Sequence, residues 1–265
     1  MLALAAAFLL AFASPQTATV RVPVANVWET PADAGRLPLD PHVWPTPQVT
    51  YAQRLSLVGH MPTQVLYGET VRVLDRRGGW TRIAVPDQPS PLDRRGYPGW
   101  IRTWQLGKTA SGPTAVVTAR TTTLENGTEV GFGSEVPRAA VPAKAIRKLP
   151  RTRADVVRSA KAFLGLHYLW GGLSAWGMDC SGLTWAAYRA HGITIPRDAD
   201  AQFLAGRPVP LSRARPGDLI FYEGARPGHV AMLIGGGRMI EAPNSSASVR
   251  IVPVRAGSVG VRSFF

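Results

Sequence analysis

Three residues in the C-terminal half carry the chemistry open to this chain: Cys180, the single cysteine among 265 residues, His229 and Glu241. Asp179 stands directly before Cys180 and can cap a helix, which sets the sulfur in the first helical turn. Backbone N–H groups and the positive end of the helix dipole there favour thiolate over thiol, and thiolate is the nucleophilic form. A buried, inert thiol is the competing reading. His229 opens an apolar run at 229–234, followed by Gly235-Gly236-Gly237 and a second run at 238–242, a pattern that predicts a hairpin. Glu241 lies twelve residues beyond His229. That equal parity places both side chains on one face, opposite each other or one diagonal step apart. A carboxylate beside an imidazole fixes its tautomer and stabilises the imidazolium, so the three residues form a candidate nucleophile, base and orienter. A histidine at a strand edge with an unrelated surface glutamate is the bland alternative. A zinc site from the same residues lacks the usual short ligand spacing, and hydrolysis by a thiol nucleophile needs no metal or organic cofactor. The glycine run lacks the Lys-Ser/Thr that completes a phosphate loop.

The elements that must position these groups read as α+β. Thr152 and Asp155 resemble a capping box, and Val156, Val157, Ala160, Phe163 and Leu164 recur at helical spacing until Gly165. A second helix starts near Asp179 and carries Leu183, Ala186, Ala187 and Ala190. Strands are expected at 218–222, 229–234, 238–242 and 248–254, so helices precede a run of hairpin-linked strands. Upstream, 18–110 alternates short strands with turns and predicts a small all-β barrel, with a long proline-rich loop at 31–51 and no helical periodicity. The Thr, Gly and Pro-rich stretch 111–150 is short for an independent core and is read as a shortened β module or linker. The expected units are therefore 1–13, 18–110, 111–150 and 151–265.

Composition narrows the setting. Apolar residues make up 45% of the chain and the formal net charge is +13. The first figure excludes a wholly disordered chain, and the second favours an anionic partner such as nucleic acid, a membrane surface or a cell-wall polymer. No zinc-finger spacing, aromatic RNA-binding signature or heptad-linked basic region points to nucleic acid. A lone cysteine excludes an intramolecular disulfide. Residues 2–13, LALAAAFLLAFA, form an apolar run shorter than the roughly 20 residues of a membrane span. With Ala11-Phe12-Ala13 as a small-x-small site, the run has the form of a signal peptide, although no basic residue precedes it. An exported or wall-associated protein without an integral membrane segment is expected.

Five motifs then resemble one known family. Tyr168-Leu169-Trp170-Gly171-Gly172, Asp179-Cys180-Ser181-Gly182-Leu183, Pro196-Arg197-Asp198 with Gln202, Arg215-Pro216-Gly217-Asp218-Leu219-Ile220-Phe221 and Gly228-His229-Val230-Ala231-Met232 follow in the order of the NlpC-type papain-like cysteine peptidases of bacterial cell walls. Thr63-Gln64-Val65-Leu66-Tyr67-Gly68-Glu69 and Gly96-Tyr97-Pro98-Gly99-Trp100 resemble the bacterial SH3-type domain that precedes the peptidase in dipeptidyl-peptidase-like members. The resemblance implies a papain-like domain behind an SH3-like barrel, with Cys180 as nucleophile and His229 as general base. It sets Glu241 where His, Asn or Gln is usual, which either orients the imidazole or pairs with an arginine and leaves it unoriented. It further implies cleavage of γ-D-glutamyl–diamino acid bonds in peptidoglycan peptides with a free N-terminal L-Ala, the amine being met by Tyr168, Asp179, Ser181 and Tyr97. A wall-binding protein with a degenerate site and an amidase or acyltransferase using the same thiol are the alternatives.

Overall fold

The computed structural model describes residues 16–36, 49–108 and 114–265. The apolar run at 2–13 and most of the proline-rich loop lie outside these residues. The N-terminal region contains β1 (Thr17–Val20), β2 (Val24–Val27), α1 (Tyr51–Ser56), β3 (Thr63–Leu66), β4 (Thr70–Arg77), β5 (Trp80–Val85), β6 (Tyr97–Arg102) and β7 (Leu106–Gly107). Five strands form an antiparallel sheet in the order β6-β5-β4-β1-β7, and β2 pairs with β3. Tyr97, Gly99 and Ile101 alternate inward along β6, the period of two that a sheet with one buried face imposes. Val20, Val27, Val71 and Ile83 join them in the core. A register shift between Val73 and Asp75 of β4 lets the sheet curl.

Helix α1 departs from the sequence expectation of no helix here. Thr50 and Gln53 form a reciprocal capping box that starts it. Its apolar residues Tyr51 and Leu55, with Val58 beyond its end, keep helical spacing but stay exposed, so nothing in the barrel's burial pattern announces them.

Between the two larger regions lie β8 (Thr114–Val116), β9 (Thr121–Thr123), β10 (Glu129–Gly131) and β11 (Glu135–Pro137). They pair as two short ribbons around Val117, Leu124, Val130, Val136 and Val141.

The C-terminal region starts with α2 (Arg153–Lys161), capped by Thr152, whose hydroxyl accepts from Asp155 N. The ribbon of β12 (Leu173–Ser174) and β13 (Gly177–Met178) leads into α3 (Cys180–Arg189), and α4 (Ala199–Ala205) follows. The six strands β14 (Arg207–Val209), β15 (Leu219–Tyr222), β16 (His229–Gly235), β17 (Arg238–Glu241), β18 (Arg250–Pro253) and β19 (Gly260–Ser263) form an antiparallel sheet in the order β14-β19-β15-β16-β17-β18. The meander from β15 to β18 matches the expected hairpin series. Helix α4 and strands β14 and β19 are additions: each has three to seven residues, β14 has no buried residue, and β19 buries only Val261 and Ser263. Leu219, Phe221, Val230, Met232 and Ile240 face the core shared with α2 and α3, while Ile220, Tyr222, Ala231, Leu233 and Met239 form a second cluster on the other side.

Helix α3 is buried from Cys180 to Tyr188, and its last residue ties the regions together. The Arg189 guanidinium lies within ion-pair distance of Glu69, Asp87 and Glu135, at 3.1, 2.9 and 2.9 Å, and donates to Gly133 O. One cation thus faces three carboxylates. Burial of Glu69 outweighs the attraction of Arg189 and raises its pKa to about 7. Because this folded value lies above the ordinary one, the ionisation penalty grows as pH rises through the interval up to about 7. Glu69→Gln should therefore raise the thermal unfolding midpoint above wild type at pH 8, with the two curves converging at pH 5. Arg189→Ala, which strands the carboxylates, should cost about 3–5 kcal/mol in urea unfolding.

Candidate active site

Asp179 adopts an extended conformation and caps α3, with Oδ1 accepting from Gly182 N at 2.6 Å. Its Oδ2 accepts from Gly171 N at 2.9 Å. Arg197, fully buried, donates to both oxygens, at 3.1 and 2.8 Å, and reaches Gly172 O and Thr63 Oγ1 of the barrel. The close approach depends on Gly182, where an added Cβ would stand 2.1 Å from Gly172 O. Cys180 is thereby held as the first residue of a helix whose N-terminal turn is locked to the preceding loop.

His229 starts β16, immediately after Gly228, whose carbonyl lies 3.8 Å from Cys180 Sγ. The pairing of Met232 with Ile240 puts Glu241 opposite Ala231, one diagonal step from His229. His229 Nε2 lies 2.8 Å from Glu241 Oε2, and the Cys180 side chain borders the same imidazole closely enough to favour its cation. One ring nitrogen is committed to a carboxylate and the imidazole shares the cleft with the sulfur, an arrangement suited to proton handling. Among the described residues no group of three or more His, Cys, Asp or Glu is placed to hold a metal ion.

Glu241 does more than either sequence alternative allowed. It pairs with arginines and with His229 at once: Arg250 donates to Oε1 at 3.1 and 2.9 Å, and Arg255 donates to Oε2 at 2.8 Å. Burial alone would raise its pKa, but the hydrogen bonds from His229, Arg255 and Arg250 bring it down to about 2. Burial likewise disfavours the His229 cation, yet its hydrogen bonds with Cys180 and Glu241 prevail and raise its pKa to about 9.

A cleft of about 450 Å³ opens over Cys180 and His229. Tyr168 and Trp170 line it beside the sulfur, Tyr51, Leu55 and Val58 of the α1 segment form an apolar wall, and residues 243–246 continue it. Arg54 of α1 donates to Ser245 O and so fastens that wall to the C-terminal region. Tyr168 stays a phenol because burial, followed by the charges of Cys180 and Asp179, drives its pKa upward. Asp179, Ser181 and Tyr97 are not among the described residues lining the cleft. Ser181 Oγ accepts from Arg197 at 2.9 Å behind Cys180, and the Tyr97 hydroxyl donates to Asp198 at 2.9 Å. Sequence reasoning missed Glu223, an exposed carboxylate on the cleft with φ of 73°, the one non-glycine positive φ among the described residues. Its position in Tyr222-Glu223-Gly224 was the available signal. It also missed Arg250 and Arg255, since nothing local to them names their partner.

Residues 165–262 match the NlpC/P60 family, and residues 59–106 match the bacterial dipeptidyl-peptidase Sh3 domain. The γ-D-glutamyl-L-lysine dipeptidyl-peptidase of Bacillus subtilis is 36% identical over 88% of this chain and 92% of its own length. The chain belongs to the NlpC/P60 family of cysteine peptidases. The Bacillus cereus γ-D-glutamyl-L-lysine dipeptidyl-peptidase is 33% identical, covering 89% of this chain and 86% of its own. A crystal structure of an NlpC/P60 family protein from Bacillus cereus superposes with a TM-score of 0.81 at 29% identity, over 94% of this chain and 99% of that one. The mixed α+β fold, with an antiparallel β region ahead of the peptidase unit, is thus shared with that NlpC/P60 structure.

A folded His229 value above the ordinary one means that the imidazolium persists through neutral pH and is lost as pH rises through about 9. An NMR titration of the His229 ring protons should give a midpoint near 9. In Glu241→Gln the midpoint should move toward neutral pH, and an unmoved midpoint would separate Glu241 from the imidazole's charge.

Proposed function

We propose that the chain is a cysteine endopeptidase hydrolysing γ-D-glutamyl–diamino acid bonds in peptidoglycan-derived peptides with a free N-terminal L-Ala. The observation that carries this reading is the placement of Cys180 and His229 together on an open cleft, with the buried Glu241 hydrogen-bonded behind the imidazole. The substrate class rests on similarity to the two Bacillus dipeptidyl-peptidases.

Cys180 thiolate attacks the γ-glutamyl carbonyl carbon and forms a tetrahedral intermediate. The Cys180 backbone N–H, free at the start of α3, donates to its oxyanion. The intermediate collapses as the C–N bond breaks, and His229 gives its proton to the leaving amine. His229, now neutral, takes a proton from water, which attacks the thioester and releases the peptide acid and the thiolate. Glu241 holds the imidazole in the required tautomer and supports its cation throughout. Arg250 and Arg255 in turn keep Glu241 ionised while it is buried.

The amine end of the site takes a modified form in this reading. Tyr168 meets the substrate directly, while Asp179, Ser181 and Tyr97 brace that end from behind through Arg197 and Asp198. Glu223 supplies the carboxylate that an approaching ammonium group meets. The reading also carries the export expectation: a wall-peptide hydrolase with a signal-like run at 2–13 works outside the cytoplasm. Cell fractionation checks it.

Purified protein under reducing conditions should release L-Ala-γ-D-Glu from L-Ala-γ-D-Glu-L-Lys or its diaminopimelate analogue. Cys180→Ala should lower kcat by about 10³-fold or more. Absence of cleavage by wild type would favour the wall-binding alternative. Glu223→Gln should raise KM about fivefold with kcat unchanged, the size of one partly solvated ion pair. Acetylation of the L-Ala amine should remove most of the turnover.

A further inference from the structure

The C-terminal part of the chain is lopsided in charge. From residue 206 to 265 there are eight arginines, no lysine and three acids. Two of the acids are withdrawn from the surface: Glu241 by its pairing with His229, Arg250 and Arg255, and Asp218 by burial. Asp218 Oδ1 accepts from Arg153 at 2.6 Å and Oδ2 from Arg215 N at 2.8 Å, so both its oxygens are engaged. The third, Glu223, lies on the catalytic cleft.

Two adjoining concavities collect four of these arginines, with Arg153 beside them. One, of about 290 Å³, is lined by Arg153, Arg207, Arg213 and Arg215 around that neutralised aspartate. The other, of about 340 Å³, shares Arg215 and ends at Arg238. The second lies over Leu233 and Val254, on the sheet face turned away from α3, and neither concavity shares a lining residue with the catalytic cleft. The side chains of Arg213, Arg215 and Arg238 are exposed and make no hydrogen bond or ion pair with any described residue. Apart from arginine and Asp218, the walls are aliphatic side chains and glycine, such as Leu211, Pro216 and Gly236. They present neither an aromatic face to stack a base nor an amide or hydroxyl to read a sugar.

We infer that this arginine groove on the back of the peptidase sheet binds a linear phosphodiester polymer with short polyol spacers. Guanidinium forks grip phosphate oxygens bidentately, and the aliphatic floor accepts a spacer it has no means to read. The inference does not depend on the peptidase reading, because its readout is binding. It gives the basic surplus expected to meet anionic wall polymers a definite place on the molecule.

Poly(glycerol phosphate) is the probe, with poly-L-glutamate of equal charge and a 20-mer single-stranded DNA beside it. Wild type should bind poly(glycerol phosphate) most tightly of the three in 0.1 M salt. The pair Arg213→Ser with Arg215→Ser should weaken binding at least tenfold and flatten the log K against log salt slope by about 1.5. The pair Lys144→Ser with Lys148→Ser, exposed elsewhere on the chain, should change binding less than twofold. Equal losses in the two double variants would reduce the effect to net charge and overturn the groove. Tighter binding of DNA or poly-L-glutamate, or no binding of poly(glycerol phosphate), would overturn the assigned ligand.

Discussion

The active geometry hangs on one buried ion pair, Arg197 with Asp179. A guanidinium with no solvent exposure is tolerable only when its donors are met, and here they reach Asp179, Ser181, Gly172 O and Thr63. The same carboxylate that neutralises it also caps α3 and holds Gly171 N. One interaction therefore positions the turn carrying Cys180, the glycine loop beneath it and the seam with the barrel. Its desolvation is costly, so its value lies less in net stability than in excluding other arrangements of these segments.

A second constraint acts across the sheet. Glu241 is fully buried beside His229, and a lone carboxylate there would take up a proton rather than stay charged. Arg250 and Arg255 prevent that, although both are about half exposed themselves. Arg250 stands directly opposite Glu241 in the β17–β18 ladder, and Arg255 follows just after β18. Glu241 is thus accompanied by two cations, and the imidazole has an ionised partner that is held in place.

The N-terminal regions are part of the same site. Helix α1 leaves its apolar side unburied because that side is a wall of the cleft, and Arg54 ties it to the 243–246 segment. Arg189 at the far end of α3 gathers carboxylates from the barrel and the short middle module. The helix that presents Cys180 is consequently anchored at both ends by arginines facing residues distant in sequence.

Local signals reach a definite limit in this chain. Strand alternation, the Asp179 cap, the glycine turn at 235–237 and the twelve-residue spacing from His229 to Glu241 were legible, because each depends on backbone geometry over a few residues. The motif order carried the family. Helix α1 was overlooked because its periodic residues serve a surface, and Glu223 because its value comes from what it faces. Sequence by itself determined the main strands and helices of the C-terminal region, a candidate nucleophile–base–orienter set and the excess of positive charge. Tertiary structure alone decided that Asp179 is spent on Arg197, that Glu241 serves histidine and two arginines together, and that Arg207, Arg213, Arg215 and Arg238 collect in two adjoining concavities. Those outcomes rest on burial and on through-space pairing of charges, which depend on how distant segments pack and leave no periodic trace along the chain.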